Sequence, residues 1–373
     1  MQLDLDSETS KLLDTSGFDR ALFERLAKSF AAGELSAERN HVTGKLEAPQ
    51  PGDIRPLPER GSPEHRALEE RGTRAIAEGQ VGCIVLAGGM ATRFGGVVKA
   101  AVPVVHDRTF LELKLADIRK AAERAGGKVR VLLMSSFATH KALCDMAERE
   151  QSEHLQVEVF QQFIALRLKA DGTVFFDDKG KASPYAPGHG DMTFALRQSG
   201  ALKRFLDGGG RVLAMSNVDN LGATLDPAVI GAHLDAGRDM TIEVVRRGPK
   251  EPGGAPARLD GRLQIIEDFR FPASFDKASI PYFNTNTFVL NARAIDRDFP
   301  LTWFVVRKKV AGAEVIQFEH LVGEVSAFVS CVCLDVPREG NIGRFQPVKD
   351  PEELELRKPA IETILTARGV LGG

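Results

Sequence analysis

The chain has 373 residues, of which 43% are hydrophobic and 27% charged, so it can bury a large core and does not have a disordered composition. Lys and Arg number 49 and Asp and Glu 51, which gives a formal net charge of −2 and excludes a bulk basic surface for nucleic acid or acidic membranes. No apolar run approaches the roughly 18 residues of a membrane span, and the acidic start is unlike a signal peptide. We therefore expect a cytoplasmic protein without nucleic-acid or membrane partners.

Residues 1–80 predict a helical N-terminal extension with no chemistry of its own. Apolar residues recur at helical spacing over 16–32, and Gly33 can end that helix. Five of the 19 prolines fall within residues 49–63, which predicts a stiff extended connector over the surface. A polar helix is expected to follow over 63–78.

From residue 82 onward, short apolar runs alternate with helical stretches. This alternation predicts an α/β protein with a doubly wound, mostly parallel central sheet, in which ligands bind beyond the carboxyl ends of the strands. An Asp-Gly pair at 260–261 predicts a hairpin. We expect a catalytic domain over 81–350 and a C-terminal helix within 351–373. The predicted strands are 83–86, 129–134, 157–160, 212–215, 241–245, 288–290 and 327–336, and the predicted helices are 109–124, 139–150 and the stretches after 191 and 227.

The first predicted strand leads directly into a glycine-rich loop over 86–99. Its glycines allow backbone amides to approach phosphates, and Arg93 and Lys99 add positive charge. Ala91 breaks the dinucleotide-binding pattern G-x-G-x-x-G, and no Gly-Lys-Ser/Thr follows, so dehydrogenase and P-loop interpretations are weakened. A plain strand-to-helix turn with solvated cations is the alternative.

This loop, Leu-x-Gly-Gly-x-x-Thr-Arg-x-Gly followed by a lysine, resembles the signature of sugar-nucleotide pyrophosphorylases. Later segments narrow the resemblance to the UTP–glucose-1-phosphate uridylyltransferase family, over about residues 82–350. The resemblance implies a Rossmann-like nucleotidyltransferase core and Mg²⁺-dependent transfer of UMP from UTP to glucose-1-phosphate, which gives UDP-glucose and pyrophosphate. The segments that carry it, in the family's order, are 134–139, 160–162, 187–191, 216–223, 283–286, 315–319 and 344–349.

The resemblance also implies roles for individual residues. Those expected in catalysis are Lys99, Arg93 and Lys349. Those expected to bind the nucleotide are Leu86, Ala87, Gly88, Gly89, Gln162, Gly188 and Asn217. Those expected to bind the sugar phosphate are His189, Gly254, Glu267, Asn284 and Asn286, and Asp219 is the expected Mg²⁺ ligand.

Several of these residues have a physical argument of their own. Asp219 follows a predicted strand at its carboxyl end, where a carboxylate can hold Mg²⁺, although Asp-Asn-x-Gly is also ordinary turn chemistry. Apolar neighbours are expected to desolvate the ammonium of Lys349. The side-chain amide of Gln162 can both donate and accept a hydrogen bond, which suits the edge of a uracil base. Gln161, one position earlier in the sequence, is the alternative for this role. Asp191 is expected to N-cap the following helix.

Departures from the family pattern are Ala91 in place of glycine, Val98 in place of proline and Ser135 in place of asparagine. We expect Ala91→Gly to be tolerated, and to tighten UTP binding unless the loop has an ordinary negative φ. Because few residues follow Lys349, we also expect no hexapeptide-repeat β-helix of the kind that many relatives append. The alternative functions are synthesis of another UDP-sugar (galactose, uronic acid or N-acetylglucosamine) and non-catalytic UDP-sugar binding, and the oligomeric state is not predicted.

Overall fold

The computed structural model describes residues 5–248, 251 and 253–372. An eight-stranded sheet lies at the centre of the molecule. Its strands, numbered in chain order, are β1 (Ile54–Pro56), β2 (Val81–Leu86), β3 (Val129–Ser135), β4 (Leu155–Gln161), β5 (Val212–Asn217), β6 (Met240–Arg246), β7 (Tyr282–Asn291) and β8 (Cys331–Asp335).

The strand order across this sheet is β1-β8-β6-β7-β5-β2-β3-β4. Strand β7 runs antiparallel to its neighbours β5 and β6, and the other described pairings in the sheet are parallel. The prediction of an α/β protein with a mostly parallel sheet is confirmed. The predicted strand over 327–336 was too long, because residues 322–327 form a 3₁₀ helix and β8 begins only at Cys331.

Helices cover both faces of the sheet. In β2, Cys83 and Val85 belong to a core shared with α3, α4, α8 and α9, whereas Ile84 and Leu86 belong to a core shared with α6 and α7. Because successive side chains of a strand point to opposite faces, β2 is buried along its whole length and its sequence is continuously apolar. The helices are α1 (Ser7–Thr15), α2 (Arg20–Ala31), α3 (Pro63–Ala77), α4 (Phe110–Ala125), α5 (His140–Arg149), α6 (Asp191–Gln198), α7 (Ala201–Asp207), α8 (Pro227–Ala236) and α9 (Pro351–Ala367).

Residues 54–80 are packed on the central layers, as two of their contacts illustrate. Ile54 pairs with Cys333 of β8, so the predicted extended segment also forms an edge strand of the sheet, in which Arg55 and Pro56 are exposed and Pro56 is tolerated. Helix α3 packs against α8 so closely that a Cβ on Gly72 would lie 1.8 Å from the Pro227 carbonyl oxygen. The division at residue 80 stays a prediction. Among the described helices, none is long and apolar enough to cross a membrane.

The predicted Asp-Gly hairpin is confirmed. Asp260 and Gly261 have φ values of 49° and 80°, the left-handed conformation that a tight hairpin turn requires. Smaller pairings outside the central sheet join Ala255–Leu259 with Arg262–Ile266 and Leu46–Glu47, Phe304–Val310 with Ala313–Glu319, Met90–Ala91 with Val97–Val98, Pro103–Val105 with Arg108–Thr109, and Ala165–Leu166 with Pro184–Tyr185.

Candidate active site

A pocket of about 360 Å³ lies at the carboxyl ends of β2, β3, β4 and β5. This is the edge where a parallel sheet presents its ligand loops. Most of its lining consists of residues that the sequence predicted for nucleotide and phosphate binding. The lining residues are Leu86, Gly88, Gly89, Lys99, Met134, Gln162, Ala186, Gly188, His189, Asn217, Val218 and Asp219.

The glycine loop begins where β2 ends. The Ala87 N–H donates to the Met134 carbonyl, and the Gly88 carbonyl accepts from Ser136 Oγ at 2.7 Å. A Cβ on Gly88 would lie only 2.6 Å from the Gln162 side-chain nitrogen. A side chain at position 88 would therefore press on the Gln162 amide and on the Ser136 backbone nitrogen, whereas Ala87 is fully buried behind the pocket and does not line it.

Ala91 has an ordinary backbone conformation, with φ of −81°, and its side chain is buried. Gly95 and Gly96, at φ of 85° and 80°, take the left-handed positions of this loop instead. The expectation that Ala91→Gly tightens UTP binding by relieving backbone strain is therefore wrong, because there is no strain at this position to relieve. Glycine here would add only flexibility, at a cost of roughly 0.5–1 kcal/mol.

Lys99 and Asp219 form an ion pair at the pocket, and their side chains are 18% and 15% exposed. The Lys99 N–H also donates to the Gly89 carbonyl at 3.2 Å, so the lysine is fixed to the glycine loop. The Asp219 carboxylate therefore holds the Lys99 ammonium in the pocket, where it can contact a phosphate group that enters. The sequence predicted both residues but not their pairing.

The loop that carries Asp219 is held from behind by buried groups. The Asn220 side chain accepts from the Gln346 N–H at 2.8 Å and donates to the Arg344 carbonyl at 3.2 Å, so it supports the backbone of this loop. Asn217, by contrast, lines the pocket. Lys114 of α4 is buried and donates to the carbonyls of Asn220 and of Ala223. Burial lowers the pKa of this lysine to about 8.

Sequence reasoning missed Lys114 altogether. A signal was available, because Lys114 lies between Leu113 and Leu115 in a helix whose other buried residues are all apolar except Asp117. A lysine at such a position requires buried carbonyl or carboxylate partners.

Lys349 and Arg93 do not line the pocket. Lys349 is exposed, so the expectation that apolar neighbours desolvate its ammonium is wrong; Phe345 and Val348 turn into the core while Lys349 faces solvent. Arg93 is 63% exposed and lies 3.5 Å from the carboxylate of Asp350. This contact brings the glycine loop and the segment after Lys349 together beside the pocket.

Gln162, and not Gln161, lines the pocket. Gln161 is the last residue of β4, opposite Ser135 in the sheet register. Gln162 follows it, donates its backbone N–H to the Ser135 carbonyl at 2.9 Å and is 6% exposed. Of the two registers that the sequence left open, the structure therefore brings the amide of Gln162 beside Gly88.

His189 is neutral at pH 7, because burial, and secondarily the neighbouring His320, lower its pKa to about 4. Its Nδ1 accepts from the Val322 N–H at 3.1 Å, which leaves the proton on Nε2. The prediction that Asp191 N-caps α6 is wrong: Gly190 takes that position, and the Asp191 carboxylate accepts from a different backbone N–H.

Of the residues predicted for the sugar phosphate, His189 lines the pocket, and Gly254, Glu267, Asn284 and Asn286 form one cluster beside it. Asn286 donates to the side-chain oxygen of Asn217 at 3.1 Å, and its own N–H donates to the side chain of Asn284. The Asn284 N–H donates to the Gly254 carbonyl at 2.8 Å, and a Cβ on Gly254 would lie 3.0 Å from the Glu267 carboxylate. The cluster joins the pocket at Asn217.

Burial raises the pKa of Glu267 to about 7, with a smaller contribution from Asp268 and an opposing one from Arg270. Among the described residues, no side chain donates a hydrogen bond to its carboxylate. A half-buried carboxyl group that accepts no hydrogen bond from a described side chain can exchange hydrogen bonds with hydroxyl groups of a ligand.

The described residues contain no group of three or more His, Cys, Asp or Glu side chains placed to hold a metal ion. Mg²⁺ is commonly held by one or two carboxylates together with substrate phosphates and water. Asp219 at the pocket fits that kind of site, in which the substrate supplies most of the ligands.

A family model described as UTP–glucose-1-phosphate uridylyltransferase matches residues 34–361 of the chain. A UTP–glucose-1-phosphate uridylyltransferase 2 from Dictyostelium discoideum is 30% identical over 305 residues, which cover 77% of this chain and 60% of the relative. A UTP–glucose-1-phosphate uridylyltransferase from Astragalus penduliflorus is 29% identical over 361 residues, which cover 90% of this chain and 73% of the relative. The chain thus spans less than two thirds of the Dictyostelium relative.

Two solved structures from Trypanosoma brucei show the same fold. The uridine diphosphate N-acetylglucosamine pyrophosphorylase superposes with a TM-score of 0.77 at 18% identity, over 95% of this chain and 79% of that chain. A UDP-glucose phosphorylase superposes with a TM-score of 0.72 at 22% identity, over 93% of this chain and 77% of that chain.

Proposed function

Because the chain belongs to the UTP–glucose-1-phosphate uridylyltransferase family, we propose that it transfers UMP from UTP to glucose-1-phosphate, which gives UDP-glucose and pyrophosphate. The observation that carries this proposal is the pocket that joins Lys99, Asp219, Gln162 and His189 at one edge of the sheet. A phosphate oxygen of the sugar phosphate attacks the α-phosphorus of UTP, and the bond from that phosphorus to the pyrophosphate oxygen breaks. Such transfer needs alignment and charge neutralisation, with no covalent nucleophile.

Each pocket residue has a role that its geometry suits. Lys99 neutralises negative charge on the phosphates as the transition state forms. Gln162 offers its amide to the uracil edge, and Gly88 and Gly89 allow the nucleotide to approach the backbone. His189 is neutral and donates its Nε2–H to a phosphate oxygen of the sugar phosphate. Alignment of the two substrates can contribute on the order of 7–11 kcal/mol to lowering the barrier.

We propose Mg²⁺ as the cofactor, with Asp219 as its protein ligand and the substrate phosphates as further ligands. When bound, the cation would neutralise charge on the phosphates. Asp219 would then exchange its contact with Lys99 for the cation, which leaves the lysine ammonium available to the phosphates.

Glucose-1-phosphate is the proposed acceptor, with its hydroxyls held by Glu267, Asn284 and Asn286. The test is a pyrophosphate-release assay with UTP and a panel of hexose-1-phosphates, with and without a chelator. We expect release only when UTP, a hexose-1-phosphate and a divalent cation are all present. Turnover in excess chelator would contradict the metal assignment. Faster turnover of the galactose, uronic acid or N-acetylglucosamine phosphate would show that glucose-1-phosphate is not the preferred acceptor.

Gln162→Ala is expected to weaken UTP binding about tenfold and to reduce discrimination against CTP. The wrong base leaves buried polar groups unpaired, and a lost partner of that kind costs ~1–3 kcal/mol. The measurement is kcat/KM for UTP and for CTP. Gln161→Ala is the matched control, because Gln161 does not line the pocket. If only the Gln161 variant loses discrimination, the assignment of the base-reading amide is wrong.

The KM for glucose-1-phosphate is expected to fall as the pH rises through about 7. The pKa of Glu267 is raised to about 7, so its carboxyl group is protonated below that pH and accepts sugar hydroxyls as a carboxylate above it. The measurement is KM for glucose-1-phosphate between pH 6 and 8 at saturating UTP.

Glu267→Gln is the control for this prediction, because the phosphate group of the substrate also ionises near pH ~6. In the variant, KM should still change with the ionisation of the substrate phosphate, and the change in KM centred near pH 7 should be absent.

The same carboxyl group makes the stability of the folded protein depend on pH. Folding raises the pKa of Glu267, so the folded protein is more stable at low pH, where the group is protonated, and loses that stability as the pH rises through about 7. The variant should therefore melt at a higher temperature than the wild type at pH 8; identical pH profiles would contradict the assignment.

A further inference from the structure

A buried carboxylate–imidazole pair lies directly behind the pocket and has no part in the roles assigned so far. The side chains of Asp191 and His320 are 0% and 5% exposed, and His320 Nε2 contacts Asp191 Oδ1. The other carboxylate oxygen accepts from the Phe163 N–H at 3.0 Å. One carboxylate thus joins two chain segments that are far apart in sequence.

On one side, the backbone of His320 contacts the loop that carries His189. The His320 N–H donates to the Pro187 carbonyl at 3.0 Å, and the Gly190 N–H donates to the His320 carbonyl at 2.9 Å. A Cβ on Gly188 would lie 2.6 Å from the His320 carbonyl oxygen, so the two segments are in tight contact. The position of His320 therefore sets the position of Gly188 and His189.

On the other side, the pair controls the segment proposed to read the base. Phe163, whose N–H donates to Asp191, is the residue after Gln162. Asp191 therefore fixes the chain immediately beyond the Gln162 amide. The same carboxylate is connected to both halves of the pocket, the nucleotide side and the sugar-phosphate side.

The imidazole is held in one orientation by stacked rings. Phe194 lies 5.6 Å from the His320 ring at an interplanar angle of 7°, and Trp303 lies 4.1 Å from it at 18°. Stacked on these two rings, the imidazole has its Nε2 directed at Asp191. The pairing is therefore a fixed feature of the fold.

We propose that Asp191 and His320 are positioning residues that hold Gln162 and His189 at the spacing which a uridine nucleotide and a sugar phosphate require together. This inference rests on the proposed function of the pocket. It assigns the pair no contact with substrate, and its effect passes through the Phe163 N–H and the Gly188–His189 backbone.

The experiment compares three variants with the wild type: His320→Leu, His320→Gln and Asp191→Asn. Glutamine places an N–H donor near the position of His320 Nε2, whereas leucine retains bulk without a donor. We expect His320→Leu and Asp191→Asn to raise KM for both substrates and to lower kcat/KM by about 10- to 100-fold, since a misplacement of ~1 Å can cost about that much. His320→Gln should stay within about threefold of the wild type. Trp303→Phe, which alters the stack and retains the donor, is the matched control.

Two readouts without turnover accompany the kinetics. Calorimetry measures UTP affinity, and the ring ¹⁵N signals of labelled histidine report whether His189 keeps its proton on Nε2, with His189→Gln used to assign its signal. A folded Asp191→Asn or His320→Leu protein with wild-type UTP affinity and an unchanged His189 signal would overturn the inference. Equal losses of kcat/KM in His320→Gln and His320→Leu would also overturn it, because the loss would then come from the packing of the ring and not from the hydrogen bond to Asp191. A wild type that binds UTP and makes no UDP-glucose contradicts the proposed function alone.

Discussion

Lys99→Ala is expected to lower kcat for UDP-glucose formation by about 100- to 1000-fold without unfolding the protein. The ammonium lines the pocket and is held there by Asp219 and by the backbone contact with Gly89. Removal of one preorganised donor from a site of developing charge costs ~2.7–4 kcal/mol of transition-state stabilisation. Because the ion pair is partly exposed, its loss should affect the melting temperature far less than kcat.

The measurement is initial-rate kinetics at saturating UTP, glucose-1-phosphate and Mg²⁺, with thermal melting of each protein. Lys141→Ala is the control, because Lys141 is an exposed lysine that also pairs with an aspartate, Asp145, and lies outside the pocket. If the kcat of Lys99→Ala matches that of the control, Lys99 has no role in catalysis.

Gly88→Ala is expected to weaken UTP binding by roughly 5- to 150-fold, which corresponds to ~1–3 kcal/mol. The added methyl group would lie 2.6 Å from the Gln162 amide and 3.0 Å from the Ser136 nitrogen, so it must displace the proposed base-reading side chain. The free protein should also lose stability, because the same overpacking exists without substrate.

Gly89→Ala is the matched variant for this comparison. A Cβ on Gly89 meets no described atom within 4 Å, and its φ lies outside the left-handed region. The Gly89 variant should keep the wild-type melting temperature and lose UTP affinity only through contact with the nucleotide itself. Calorimetry with UTP and thermal melting separate the two cases. Equal stability and equal affinity in the two variants would contradict the close packing of Gly88 against Gln162.

Local patterns predicted the parts of the fold that depend on local chemistry. The apolar run of β2 and the Asp260–Gly261 turn are properties of adjacent residues, and both were predicted correctly. The position of the glycine loop followed from the strand that precedes it. Asp219 was expected at the carboxyl end of a strand, whereas Gln162 and His189 were predicted from the family resemblance, and all three line the same pocket.

The rest depended on contacts between distant segments. Strand β1 exists because Ile54 meets β8, which nothing in the proline-rich sequence around it indicates. Lys349 has apolar neighbours in sequence, yet they turn into the core and leave it exposed. Asp191 has the chemistry of a helix cap, but the helix begins one residue too early for that role, and its carboxylate serves a partner 129 positions away.

The reversed direction of β7 has a consequence for how acceptor preference can change. In a wholly parallel sheet, the edge that faces the ligand is built from loops that leave the strands. Since β7 runs the other way, its opening residues, Asn284 and Asn286, arrive at that edge while still paired with β6 or beside the end of β5. The proposed nucleotide side of the pocket is thus formed by loops, whereas Asn284 and Asn286 of the proposed sugar side belong to a strand, so that their spacing is set by the backbone. Exchanging the Asn284 side chain is therefore expected to alter the fit to a sugar epimer, whereas a change at Asn286 also removes a hydrogen-bond partner of Asn217 at the proposed nucleotide side.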